Sequence, residues 1–200
     1  MFMDLLTLWL FILATLATPG PGNLLTMQFG VVLGVRKAMM FVLGTTTTYS
    51  LVSFVVGAGL PLFFEDHGAY LPIMKFVSAA VMLALLAQGY WASQSNPTGD
   101  MPRFRLTPAM LLIQGLMVPP LNPKAWAILV LCWAEFGTLY DTAWKNQLFI
   151  TGNMLIANVV IQFHYASLGS YLGKKAAFGP KVQLGMTVAT ALAIIILVLM

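Results

Sequence analysis

The stretch Val118-Pro119-Pro120-Leu121-Asn122-Pro123-Lys124-Ala125-Trp126 decides how this chain folds. It lies inside an apolar segment covering residues 106–136. Proline lacks a backbone donor and clashes with the preceding helical turn. A charged side chain deep in a bilayer costs about 2.5–3.5 kcal/mol on insertion scales. Three prolines and a lysine are therefore incompatible with one ordinary hydrophobic helix. The segment is expected to break, and its lysine to have a use. An earlier stretch, Thr18-Pro19-Gly20-Pro21-Gly22-Asn23, interrupts the first apolar segment in a comparable way.

The surrounding composition is that of an integral membrane protein. The 200 residues are 60% hydrophobic and 8% charged, against the roughly 25% charged of soluble domains. The ten Lys and Arg residues are scattered between apolar runs and form no stripe for nucleic acid. Cys132 is the single cysteine, so disulfide and CxxC chemistry within one chain is excluded. It reads as a small packed apolar residue. The first segment has no basic n-region and carries Asp4, so it reads as a span of the mature protein.

A span needs about 20 apolar residues. Residues 2–35 are too many. One helix of that length would measure about 50 Å against a hydrocarbon core of about 30 Å. The Pro-Gly-Pro-Gly break should split it into pieces at 2–18 and 24–35, ended by Arg36 and Lys37. Further spans are expected at 38–60, 70–91, 106–136 (broken), 146–168 and 182–200. The expected fold is thus all-α, a single transmembrane domain of six helices with the first and fourth broken. A first three-helix half (1–92) and a second (109–200) flank a polar linker at 93–108. Six spans in which each half opens on a broken helix have the layout of two inverted repeats.

The loops after spans one, three and five carry Arg36, Lys37, Arg103, Arg105, Lys174, Lys175 and Lys181. The other side holds Lys75 and Lys145 with Asp4, Glu65, Asp66, Glu135 and Asp141. The positive-inside rule then places both termini outside. Tyr70, Tyr140 and Trp144 fit an outer aromatic belt, and Tyr90, Trp91 and Tyr171 an inner one.

At the first break Asn is a favoured N-cap, so a helix is expected to restart at Asn23. At the second, Asn122 precedes Pro123, and proline suits the first helical position. Both half-helices would point their N-termini into the membrane. Such an end carries free N–H groups and about half a positive charge. Two of them beside the Lys124 ammonium make a site for an anionic group, naturally a carboxylate. The expected binding set is Pro19, Gly20, Pro21, Gly22, Asn23, Asn122, Pro123 and Lys124. Thr45 and Thr48 of the Thr45–Thr48 run, and Asn158, would line the rest. Asn158 and Gln162 share a helix face. His164 is a candidate proton relay. The competing reading makes both breaks plain kinks, Lys124 a snorkelling side chain, and the threonines and His164 structural. Gly169 and Gly173 form a GxxxG pair that overlaps an expected loop.

Catalytic templates fail. There is no GxSxG, HExxH or P-loop, and neither histidine has a partner at metal-ligand spacing. No metal or cofactor is implied.

Thr18–Leu25, the Gly34-Val35-Arg36-Lys37-Ala38 turn, and Asn122-Pro123-Lys124 leading to Ala134-Glu135-Phe136 together resemble the LysE/RhtB family. That resemblance spans essentially the whole chain. It implies a bacterial inner-membrane exporter of amino acids or their analogues. Two departures from the family pattern are Gly22, which intervenes before Asn23, and Asn158, which replaces an acidic residue. The leading expectation is a secondary exporter of a small zwitterionic or neutral amino-acid-like metabolite, driven by proton exchange. Its partners would be the solute and the lipid bilayer, with no nucleic acid, and a homodimer remains an open option. A non-transporting membrane scaffold or assembly partner is the alternative, with an intramembrane enzyme as a third.

Overall fold

The computed structural model describes residues 2–59, 70–93, 106–174 and 180–199. Among these, every regular element is a helix. In chain order they are α1 Phe2–Leu16, α2 Pro21–Leu33, α3 Val35–Gly57, α4 Tyr70–Ser93, α5 Pro108–Leu121, α6 Pro123–Phe136, α7 Ala143–Gly173 and α8 Pro180–Leu199. Residues 61–68 between the second and third expected spans, with Glu65, Asp66 and His67, most of the 93–108 linker with Arg103 and Arg105, and Lys175 lie outside the described residues.

Both breaks form. The axes of α1 and α2 are bent by 66°, those of α5 and α6 by 59°. Among the described residues α3 and α7 are each long and apolar enough to cross a bilayer unbroken, and each bent pair qualifies if it is one span. The chain is a multi-pass membrane protein. Its outward faces are apolar, as a lipid solvent requires, with Leu51, Leu131 and Leu148 all more than half exposed. Of the aromatics expected at the interfaces, Trp91, Trp144 and Tyr171 are exposed.

The helix boundaries correct the expectation in three places. The first break ends at Pro21, not Asn23: Gly20 is the N-cap and Pro21 occupies the first turn. Arg36 and Lys37 do not terminate a span, because they lie in the first turn of α3. Gly34 alone makes that corner, with φ at +77°, a region costly for any residue with a Cβ. At the second break α5 continues through Pro119 and Pro120 to Leu121 before the chain turns at Asn122.

Two apolar cores sit one on each side of the breaks. One joins α1, α6, the C-terminal half of α3 and the N-terminal half of α7 around Leu8, Ile12, Leu129, Cys132 and Met154. The other joins α2, α5, the N-terminal half of α3 and the C-terminal half of α7 around Phe29, Phe41, Leu111 and Ala166. Phe29 and Phe41 meet edge to face at 4.9 Å.

The second core is tightened by glycines where backbones touch. A Cβ at Gly44 would lie 2.3 Å from the Leu112 carbonyl oxygen, and one at Gly115 2.2 Å from that of Phe41. These two fix the α3–α5 crossing. Gly30, Gly169 and Gly173 do the same for α2 against α7, where a Cβ at Gly169 would lie 2.0 Å from the Met27 oxygen. Small residues at helix crossings are a main source of packing energy in a bilayer. The Gly169–Gly173 pair thus belongs to a helix and not to a loop, since α7 continues to Gly173.

Candidate functional site

The two breaks meet between the two cores, and a cavity opens where they meet. Its empty space, mouth included, is about 430 Å³. Gly20, Gly22 and Asn23 contribute from the first break, Asn122 and Lys124 from the second, Thr45 and Tyr49 from α3, and Asn158 and Gln162 from α7. Leu16, Val118 and Ile128 are among the apolar residues of its wall.

Lys124 ties the breaks together. Its Nζ donates to the Thr18 carbonyl at 2.9 Å and to Thr18 Oγ1 at 2.6 Å. The stem runs alongside Gly20, where an added Cβ would sit 3.0 Å from Lys124 Cδ. A side chain at position 20 would therefore push on the lysine. Asn23 closes the first break from within, donating Nδ2 to the Leu16 carbonyl at 2.7 Å and to that of Thr18 at 3.2 Å. These bonds satisfy carbonyls that the end of α1 leaves without helical partners.

The two helix N-termini differ. At α6, Asn122 Oδ1 accepts from the Lys124 amide at 3.1 Å, Pro123 has no N–H, and the Ala125 amide returns to the Asn122 carbonyl at 2.9 Å. That end is capped. At α2 no side chain caps the helix, and Pro21 again has no N–H. The first amides available there are those of Gly22 and Asn23, since that of Leu24 already bonds to the Gly20 carbonyl. The expected pair of bare ends reduces to one bare end plus an ammonium.

Beneath the cavity runs a buried polar network. Gln162 donates Nε2 to Thr45 Oγ1 at 3.0 Å and to Asn158 Oδ1 at 3.2 Å, and Thr46 donates to that same oxygen at 3.3 Å. Thr26 donates its hydroxyl to Gln162 Oε1. These five side chains join α2, α3 and α7, and each is at most 5% exposed. Satisfied networks of this kind fix a unique packing.

Tyr49 stands apart. It is 4% exposed and its ring lies in the cavity wall, yet its hydroxyl has no hydrogen-bond partner in the protein. Nothing in the sequence around Tyr49 signals this, because only the packing of α1, α6 and α7 around it removes its neighbours.

Of the residues singled out in the sequence, Gly20, Gly22, Asn23, Asn122, Lys124, Thr45 and Asn158 come together here. Pro19 is exposed, while Pro21 and Pro123 start the two half-helices. Thr48 turns back to the Gly44 carbonyl at 3.0 Å and is not in the wall. Four consecutive residues on a helix face different ways, and Thr45 rather than Thr48 has the inward one. His164 is exposed and its Nδ1 lies 2.7 Å from the Val160 carbonyl of its own helix. It does not reach the cavity. Gln162 and Tyr49 are the polar wall residues missing from the expected set. Gln162 was signalled by its spacing from Asn158. Among the described residues no cluster of metal-ligating side chains occurs.

Neither the curated proteins nor the solved structures contain a match to this chain. A family model does match, over residues 13–199, and its description is LysE type translocator. That match takes in both breaks, the cavity and every helix after the first turns of α1, and the chain belongs to the LysE type translocator family.

Proposed function

We propose that this translocator exports a small amino-acid-like metabolite across the bacterial inner membrane, with its carboxylate held where the two breaks meet. The observation that carries the reading is Lys124, a cation brought by a helix break to the wall of a cavity inside a membrane protein. An ionisable side chain within a span is by default a functional group with a partner. The bare α2 N-terminus adds partial positive charge at the same place.

The six spans are read as two inverted three-helix repeats, a reading supported by one bent pair in each half of the chain. Both termini face outward, as the basic loops suggest. In that orientation α2 and α5 occupy the inner half of the membrane, and the glycine contacts belong to the inner side. Proton exchange is the driving force. With His164 facing away, Lys124 is the titratable group best placed to couple to it.

The test is efflux from preloaded cells or vesicles. Lys124→Ala and Asn122→Ala should each reach the membrane at normal abundance and lose efflux. Efflux at the unmodified rate from both variants refutes the site.

A further inference from the structure

The cavity has more to say about the charge of its solute. Nearly all of its acceptors are already in use, Asn23 Oδ1 being the exception among the wall side chains. At the end of α1, the Thr15 carbonyl takes Thr18 Oγ1 at 2.7 Å, that of Leu16 takes Asn23, that of Ala17 takes the Tyr165 hydroxyl at 2.9 Å, and that of Thr18 takes Lys124. At the end of α5, the Pro119 carbonyl takes the Asn122 amide at 3.1 Å and the Pro120 carbonyl takes Trp126 Nε1 at 2.8 Å. The amide oxygens of Asn122, Asn158 and Gln162 are occupied as well. No carboxylate lies in the wall.

What remains is a set of donors. Two of the three Lys124 protons are directed at Thr18, leaving one. Gly22 and Asn23 present amides that no side chain caps. Asn158 accepts on its oxygen, so its nitrogen is left to donate.

An amino acid in its usual form brings three further ammonium donors and a positive charge. In this wall they would meet no anion, few free acceptors and the Lys124 charge. A like charge nearby disfavours a cation, and a buried donor without an acceptor is costly. We propose that the cavity takes a small organic anion whose carboxylate is not accompanied by an ammonium, such as a 2-hydroxy acid or an N-acylated amino acid, in preference to a zwitterion. The inference rests on the carboxylate reading above and narrows it.

Matched pairs test it. Lactate against alanine, 2-hydroxyisocaproate against leucine, and N-acetylalanine against alanine differ chiefly at the nitrogen. Binding to the purified protein is read at neutral pH from the ligand-dependent rise in unfolding temperature, and transport from flux in proteoliposomes. For at least one pair the anion should bind at least about tenfold more tightly than its amino acid, a difference of about 1.4 kcal/mol. Asn158→Asp supplies the missing carboxylate and should shift that ratio toward the amino acid by about tenfold or more. Amino acids that bind as well as their anionic partners, with Lys124→Ala losing both, overturn the charge preference and leave the carboxylate site standing. Binding of neither member of any pair, or binding that Lys124→Ala leaves intact, overturns both.

Discussion

Removing the Tyr49 hydroxyl should hold or raise stability without changing affinity. The ring of Tyr49 packs in the core formed with Leu8, Ile12, Leu129 and Ile161, and Phe keeps that ring. What Tyr49→Phe deletes is a hydroxyl that is buried and has no protein partner. A buried polar group left unsatisfied costs about 1–3 kcal/mol. The lost packing of the oxygen atom offsets part of this, so the empty variant should be equally stable or more stable, by up to about 1 kcal/mol. The hydroxyl is buried away from the open space, so the affinity for a bound solute should be unchanged. The assay is thermal unfolding of wild type and Tyr49→Phe in detergent, each with and without a titrated 2-hydroxy acid. A variant that is less stable when empty, or that binds more weakly, refutes the reasoning, because the hydroxyl would then have a partner.

Two further outcomes follow from the packing and from what faces away. Gly169→Ala places a methyl 2.0 Å from the Met27 oxygen, so α2 and α7 must separate by more than about 1 Å to reach ordinary contact. Overpacking of this kind costs about 1–3 kcal/mol. The unfolding temperature in detergent should drop, whereas Gly152→Ala, with nothing within 4 Å of the added carbon, should leave it unchanged. His164→Ala should leave both the rate and the pH dependence of efflux as they are, because His164 is exposed on α7 and bonds only to its own helix. A flattened pH profile in that variant would return His164 to the coupling mechanism.

The two interruptions were legible because proline and charge conflict with an apolar run on purely local grounds. Asn122 behaved as the capping rule expects. Asn23 did not, because the same Pro-Gly-Pro run offers Pro21 as an earlier first helical residue, and the freed Asn23 side chain reaches back to Leu16. Local rules rank candidates for a helix start, and two strong candidates three residues apart are settled by the rest of the fold. The Gly169–Gly173 contact was unreadable for a similar reason. Its meaning depends on α7 outlasting its apolar stretch and on α2 lying across it. Tyr49 carries no local signal at all, since a lost partner is a property of three neighbouring helices. Thr45 was legible as a candidate, but which threonine of the run turns inward depends on the rotation of α3 against α5.

The Lys124–Thr18 contact has a consequence for movement. The same ammonium that would greet a solute is also the rivet joining the two interrupted spans. An anion that drew Nζ away from Thr18 as it filled the chamber would loosen the joint. By reciprocity, a change that frees Nζ from Thr18 while leaving the lysine in place would raise the affinity of the chamber. Loading and rearrangement would then be one event governed by a single side chain, with no separate sensor needed to report that cargo has arrived.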